Sequence, residues 1–174
     1  MINGVKILVS TTRRLRLLDL NKADAENIFL LNSDAKVLRY VNDSPFPNIE
    51  AAENWIANIA KELPHGIGRF GIWTHSGQWI GRCSLRCQAD GEPLMGFRIL
   101  SEYWGQGFGT ETAQALLKLA FEVHQLPVVC ARVHPENIAC RRVLVKAGGV
   151  LWQTNSRQPL GNKLIYRFVR PANN

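Results

Sequence analysis

The chain has 174 residues, of which 46% are hydrophobic and 20% are charged, with a formal net charge of +7. This composition is typical of one globular domain that is long enough to bury its own core. No apolar run approaches the roughly 20 residues of a membrane-spanning helix. The four cysteines and four histidines do not have the spacing of a zinc site. We therefore expect a cytoplasmic protein without a metal and without a membrane partner.

The positive charge has two interpretations at this stage. The 21 lysines and arginines are dispersed along the chain, and no motif of a nucleic-acid-binding fold accompanies them. A general positive field attracts an anionic cofactor as readily as it attracts nucleic acid or a ribosomal surface. We expect no specific nucleic-acid partner.

The first half of the chain predicts a strand, then helices, then more strands. Residues 1–10 are interpreted as an N-terminal extension. Leucines alternate with arginines over residues 13–20, which indicates a strand. Helices are predicted after the caps Asn21 and Ser33-Asp34, and residues 49–63 have the apolar spacing of an amphipathic helix. Strands are predicted at residues 69–74, 78–86 and 94–100, the first two joined by the turn at residues 75–77.

The second half alternates helices and strands around a glycine-rich loop. A helix is predicted over residues 110–123, a strand over 128–133, a helix within 135–148 and a closing hairpin at 150–154 and 163–169. This order predicts a single α/β (α+β) domain over residues 1–174, with helices flanking one mixed, mostly antiparallel sheet.

The glycine-rich loop is the most informative segment, and it joins the 94–100 strand to the 110–123 helix. Its glycines leave main-chain N–H groups uncovered, and the helix that follows adds its own unpaired N–H groups and the positive end of its dipole. Such a site binds a phosphate or pyrophosphate, although glycines at this place could also be turn residues only. The spacing is neither that of a dinucleotide-binding fold nor that of a nucleotide triphosphate loop. The loop reads Tyr103-Trp104-Gly105-Gln106-Gly107-Phe108-Gly109-Thr110-Glu111.

Three segments together resemble the GNAT superfamily of N-acetyltransferases, and most closely its RimJ/RimL-like branch. They are residues 96–111, which contain the glycine-rich loop, residues 132–144 and residues 12–17. The resemblance implies acetyl-CoA as cosubstrate, and a sheet whose strands splay apart before and after the loop. It also implies that pantetheine lies between the splayed strands and that the loop amides hold the pyrophosphate.

The resemblance assigns cofactor-binding residues by position. Main-chain N–H groups of the splayed strand are expected to polarise the thioester carbonyl, and Asn137 is expected to bind the cofactor arm. Asn137 could instead be a plain helix cap, and Arg142 could be a solvated residue of the helix rather than a phosphate ligand. The expected cofactor-binding residues are Ile99, Leu100, Gly105, Gln106, Gly107, Phe108, Gly109, Thr110, Asn137 and Arg142.

The catalytic residues of the family are only partly present. The position that often carries a glutamate base is Leu94, and the position of the general-acid tyrosine is Leu144. We therefore predict Glu92, two residues before Leu94, as the base, and Cys140 as the group that donates to the departing thiolate. The alternatives are a solvated carboxylate at the edge of a turn for Glu92 and a small packed thiol for Cys140.

The resemblance implies an enzyme that transfers acetyl directly to a primary amine. The acceptor is expected to be a protein N-terminal α-amine of the ribosomal-protein type, or else a small-molecule amine, and the enzyme to be a possible homodimer. A CoA-binding protein with a degraded catalytic site is the alternative that Leu94 and Leu144 suggest. A basic domain that binds RNA or the ribosome is the other alternative.

Overall fold

The computed structural model describes residues 6–41, 43–61, 67–87, 91–155 and 163–172. In this part of the chain eight strands and five α-helices form one layered domain. The strands are β1 (Leu8–Thr11), β2 (Leu15–Asp19), β3 (Arg69–Thr74), β4 (Trp79–Cys87), β5 (Pro93–Ile99), β6 (Val128–Val133), β7 (Val150–Asn155) and β8 (Lys163–Val169). The helices are α1 (Ala25–Ser33), α2 (Ala35–Leu38), α3 (Ile49–Lys61), α4 (Phe108–Lys118) and α5 (Ile138–Lys146).

All eight strands belong to one sheet, in the order β1-β2-β3-β4-β5-β6-β8-β7. Neighbouring strands are antiparallel except for β5 and β6, which run parallel. Because α4 connects β5 to β6, these two strands form a crossover unit at the centre of the sheet. The predicted mixed, mostly antiparallel sheet flanked by helices is confirmed.

Two hydrophobic cores cover the two faces of the sheet. The larger core packs α4 and α5 against the face that carries Leu17, Ile72 and Leu85. The smaller core packs α1, α2 and α3 against the opposite face around Trp79. The alternation of side chains along each strand therefore sends every second residue toward α4 and α5, and the others toward α1–α3.

Some boundaries differ from the sequence prediction for reasons that are visible in the structure. Strand β1 lies in the segment interpreted as an N-terminal extension, where four residues offer too short a pattern to detect. Helix α4 begins two residues before the predicted Thr110, because Gly107 adopts the left-handed conformation that ends the loop. The helix continues through residues 119–123 with the wider π geometry.

The predicted ends of α5 have the expected chemistry. The Asn137 side chain accepts a hydrogen bond from the Cys140 N–H at 3.0 Å, which caps the first turn. At the other end, the Gly149 N–H donates to the Leu144 carbonyl at 2.9 Å, after Gly148 has turned the chain with a φ of 93°.

No helix in the described ranges is both long and apolar enough to cross a bilayer.

Candidate active site

The centre of the sheet contains a gap between β5 and β6. These parallel strands are paired only at Leu94 with Cys130 and at Met95 with Ala131. Beyond those pairs the strands separate, and their carboxyl ends lead to the glycine-rich loop and to the start of α5. The splayed sheet predicted from the resemblance is present, and its open end faces the predicted anion site.

The edge of β5 presents unpaired main-chain groups to this gap. The Leu100 N–H donates to the Ile80 carbonyl at 2.9 Å, so it points toward β4. Main-chain groups of an antiparallel pair alternate in direction, so the N–H groups of Phe97 and Ile99 point away from β4, into the gap. Of the two predicted donors, Ile99 therefore faces the gap and Leu100 does not.

The glycine-rich loop turns tightly before α4. Gly105 and Gly107 have φ angles of 76° and 82°, which residues with a Cβ rarely adopt. The first main-chain hydrogen bond of α4 joins the Glu111 N–H to the Gly107 carbonyl. The N–H groups of Phe108, Gly109 and Thr110 precede that bond and have no partner within the helix. These N–H groups lie where the sequence predicts an anion site at a helix N-terminus.

The loop is fixed from the β5 side by Trp104. Its indole N–H donates to the Ile99 carbonyl at 2.7 Å, so the last carbonyl of β5 is occupied and the loop is tied to the strand. A Cβ at Gly109 would lie 3.3 Å from the Val143 Cγ2 atom, so this glycine allows α4 to lie close to α5.

An ion pair between Arg14 and Glu111, which are 97 residues apart in sequence, fixes the same loop from the β2 side. The Glu111 carboxylate accepts hydrogen bonds from the Thr12 hydroxyl at 2.6 Å and from the Arg14 N–H and Nε at 2.8 and 2.6 Å. The Arg14 guanidinium also donates to the Gln106 carbonyl and lies over the Phe108 ring. Burial raises the pKa of Glu111, but the hydrogen bonds from Thr12 and Arg14 outweigh it and the pKa falls below its ordinary value.

Sequence reasoning did not find this ion pair. Glu111 lies in the first turn of α4, where a carboxylate also interacts favourably with the helix dipole. Nothing in the spacing of residues 14 and 111 indicates that they meet, because the contact depends on β2 and α4 being brought together by the sheet. The family resemblance of residues 12–17 does not indicate a contact with α4.

The residues predicted on α5 have distinct surroundings. Asn137 is a helix cap, and this use of its Oδ1 atom leaves the amide N–H₂ group for another acceptor. Cys140 is partly buried, and burial raises the pKa of its thiol to about 11. Arg142 is exposed, whereas its neighbour Arg141 donates to the Pro135 carbonyl at 3.1 Å.

The predicted base lies on the other face of the sheet. Glu92 is partly buried directly before β5, and its carboxylate accepts from the Arg132 guanidinium at 3.2 Å and from the Cys130 thiol at 3.4 Å. Burial and the contact with Glu92 raise the pKa of Cys130 to about 11. Glu92 is therefore held next to the point where β5 and β6 begin to separate.

Comparison with known proteins shows the family to which this chain belongs. Residues 14–150 match the family model for the acetyltransferase (GNAT) domain. The chain belongs to the GNAT family of acetyltransferases. It is an acetyl-CoA-dependent N-acetyltransferase.

One curated relative and two solved structures illustrate the similarity. The "Uncharacterized N-acetyltransferase p20" of Bacillus licheniformis is 30% identical over 137 residues, which cover 76% of this chain and 77% of that protein. The fold resembles that of RimL, a ribosomal L7/L12 α-N-protein acetyltransferase in complex with coenzyme A, with a TM-score of 0.82, 13% identity and coverage of 94% and 98% of the two chains. It also resembles spermidine N-acetyltransferase from Vibrio cholerae in complex with CoA and spermine, with a TM-score of 0.80, 17% identity and coverage of 91% and 97%.

In this GNAT acetyltransferase, the groups around the gap suit the chemistry of acetyl-CoA. The unpaired edge of β5 matches a chain of amides such as pantetheine, and the N-terminus of α4 matches a pyrophosphate. Nothing lies within 4 Å of a Cβ built on Gly105, so the outer side of the loop is open. In the described part of the chain, no three His, Cys, Asp or Glu side chains come together as metal ligands.

Proposed function

We propose that this enzyme transfers acetyl directly to the α-amine of a protein N-terminus. The observation that carries the direct transfer is the gap itself, whose β5 edge and α4 N-terminus lie on one side while Glu92 lies on the other face. A cosubstrate and an amine can then meet at the gap from opposite faces of the sheet. The fold of RimL, whose name specifies an α-N-protein acetyltransferase, supports the choice of acceptor.

The thiols near the gap argue against an acetylated enzyme. Cys130 and Cys140 both have a pKa raised to about 11 by burial, so at neutral pH they are thiols and not the nucleophilic thiolates. Neither cysteine has a described histidine hydrogen-bonded to it that could act as its base. Direct attack by the amine avoids this difficulty.

The chain's own residues supply three roles in this proposal. Acetyl-CoA brings the thioester, and the Phe97 N–H, which faces the gap nearer to Glu92 than the Ile99 N–H does, donates to the carbonyl oxygen on which charge develops. The Ile99 N–H is left for the pantetheine arm. Glu92 accepts a proton from the amine through intervening water, because Phe97 lies about 17 Å farther along β5 at roughly 3.3 Å per residue. Cys140 donates a hydrogen bond to the departing sulfur, but a pKa of about 11 lies well above the roughly 8.5 of an ordinary thiol, so complete proton transfer is unfavourable.

A small-molecule amine is the second candidate acceptor. The support for it is the similarity in fold to spermidine N-acetyltransferase, which was solved with spermine. The two acceptor classes differ in charge and size, so a single assay separates them.

The decisive experiment measures thiol release from acetyl-CoA with two pools of acceptors. One pool contains short peptides with free N-termini, and the other contains polyamines and aminoglycosides. Release with the peptides supports the proposal, and release only with the small amines replaces the acceptor by the second candidate. Binding of acetyl-CoA without release from either pool would favour a degraded catalytic site.

The role of Glu92 is tested in the same assay. Glu92→Gln should lower kcat by about 100-fold, the usual contribution of a general base, with the KM for acetyl-CoA unchanged. The matched control is Glu122→Gln, which removes an exposed carboxylate whose described partner is Lys118 at 3.9 Å. An unchanged kcat in a folded Glu92→Gln enzyme rules out this base.

A further inference from the structure

The face of the sheet opposite α4 and α5 is rich in arginine. The residues next to each of these arginines in sequence belong to the α4–α5 core, so the pleat turns the arginine side chains to the opposite face. Among these arginines, Arg98 forms an ion pair with Asp43 and Arg132 forms one with Glu92. The arginines are Arg16 on β2, Arg69 on β3, Arg82 and Arg86 on β4, Arg98 on β5, Arg132 on β6 and Arg167 on β8.

Two of these arginines lie directly opposite each other. Arg82 on β4 and Arg98 on β5 are Cα partners in the antiparallel register. Like charges at such positions destabilise a sheet. Arg98 is compensated, because its guanidinium donates to the Asn32 amide oxygen at 3.2 Å and forms an ion pair with Asp43.

Arg82 has weaker compensation, because the charge of Asp43 favours its charged form but does not form a salt bridge with it. Its guanidinium lies over the Trp55 ring at 4.9 Å, and its Nε atom is buried without a hydrogen-bond partner. No carboxylate in the described ranges forms a salt bridge with it. Burial and the neighbouring Arg98 lower the pKa of Arg82 to about 9, which still leaves it charged at neutral pH. A partly buried cation and a buried, unsatisfied N–H group both destabilise the protein, and an anion bound next to Arg82 would relieve both costs.

The position of this pair relates it to the acceptor. Arg98 lies between Phe97 and Ile99, whose N–H groups face the gap, and the gap begins two residues before it, at Gly96. An anionic group bound between Arg82 and Arg98 therefore lies beside the place where the amine must approach. Guanidinium groups bind carboxylates through paired hydrogen bonds.

We propose that Arg82 and Arg98 form a carboxylate-binding subsite of the acceptor cleft. The enzyme then acetylates an amine that carries a carboxylate nearby, and it discriminates against polyamines, whose positive charges are repelled by the same face. This inference rests on the proposed acetyl transfer. The carboxylate can be an acidic side chain at the second position of a peptide or the α-carboxylate of a free amino acid.

The test separates binding of the acceptor from its turnover. Calorimetry on the protein–CoA complex compares a tetrapeptide with glutamate at its second position, the same peptide with glutamine there, free serine and spermidine. We expect the glutamate peptide or serine to bind about tenfold more tightly than the glutamine peptide, and spermidine to bind most weakly. A preference for the glutamate peptide identifies an acidic side chain as the source of the carboxylate, and a preference for serine identifies the α-carboxylate.

Substitutions then locate the subsite. Arg82→Gln should abolish the preference for the carboxylate, and Arg82→Lys should restore part of it. Arg170→Gln makes the same change of charge on an arginine whose described partner is Gln125, and it should leave the preference intact. Circular dichroism confirms that each variant is folded.

The results distinguish two failures. Equal binding of the glutamate and glutamine peptides, no binding of any acceptor, or tighter binding of spermidine overturns the subsite. The same acceptors are then tested for thiol release from acetyl-CoA. Absence of release despite selective binding contradicts the proposed transfer and not the subsite.

Discussion

Gly107 occupies a position where a side chain would strain the backbone of the loop and would touch the end of the Arg14 side chain. Its φ of 82° costs roughly 1–2 kcal/mol for a residue with a Cβ, and the added Cβ would lie 3.4 Å from the Arg14 Nη2 atom. The residue also ends the loop that leads into the unpaired N–H groups of α4. A change at this position therefore acts on the anion site as well as on the backbone.

Gly107→Val is expected to reduce the affinity for CoA by at least tenfold, as measured by calorimetry. The control is Gly77→Val in the β3–β4 turn, where φ is 87° and nothing lies within 4 Å of the added Cβ. Both variants have a similar backbone cost, so they should lose similar stability, but only Gly107→Val should lose affinity. Equal affinities for CoA in the two variants would mean that the loop does not hold the pyrophosphate.

The pKa of Glu111 predicts a defined pH dependence of stability. The pKa is lowered in the folded protein, mainly by the hydrogen bonds from Thr12 and Arg14 overcoming the effect of burial. The folded state therefore prefers the charged carboxylate. Its contribution is fully present above the unfolded pKa of about 4.3 and is lost as the pH falls through the lower pKa of the folded state.

Glu111→Gln tests this dependence by urea unfolding at several pH values. The variant should be less stable than the parent protein by about 1 kcal/mol at pH 7, since the partly exposed Thr12 and Arg14 lose a charged hydrogen-bond partner. The difference should stay constant down to about pH 5 and shrink below about pH 4.3. A difference that is independent of pH from 7 to 3 is inconsistent with a charged Glu111.

At the scale of elements, the two edges of β5 differ in how far they are paired with neighbouring strands. One edge is paired with β4 along its whole length, from Pro93 to Ile99. The other is paired with β6 at Leu94 and Met95 only. Successive N–H groups of a strand point to opposite edges. The exchange rates of neighbouring amides in β5 therefore measure the protection of the two edges separately.

Amide hydrogen exchange followed by NMR can therefore test the gap. Without CoA, the amides of Phe97 and Ile99 should exchange much faster than those of Arg98 and Leu100, which bond to β4. CoA should slow the exchange of Phe97 and Ile99 and leave Arg98 and Leu100 nearly unchanged. Uniform protection of the four amides before CoA is added contradicts an open edge.

At the scale of the whole molecule, the net charge of +7 should act on the cosubstrate. The phosphates of acetyl-CoA experience the field of the protein, and salt screens that field, with a Debye length of about 10 Å at 0.1 M and about 3 Å at 1 M. The KM for acetyl-CoA should therefore rise several-fold between 50 and 500 mM salt. S-acetylpantetheine lacks the phosphates, so its KM should change little; equal salt dependence of the two thioesters contradicts this electrostatic contribution.

The order of most strands and helices was predictable because it depends on local patterns. Alternation identified β3, β5 and β6 to within about one residue, and apolar spacing identified α3. The glycine-rich turn and the helix after it were predictable for the same reason, since they are contiguous in sequence. The strand β1 was not, because four partly exposed residues carry too little pattern.

The sequence by itself determined the fold class, the family resemblance and the position of the glycine-rich loop before α4, all of which follow from contiguous segments. Only the tertiary structure decided which N–H groups of β5 face the gap, because that depends on its register with β4. The same holds for the pairing of Arg14 with Glu111 and for the opposition of Arg82 and Arg98. These contacts join residues far apart in the chain, and strand pairing brings them together without any trace in local spacing.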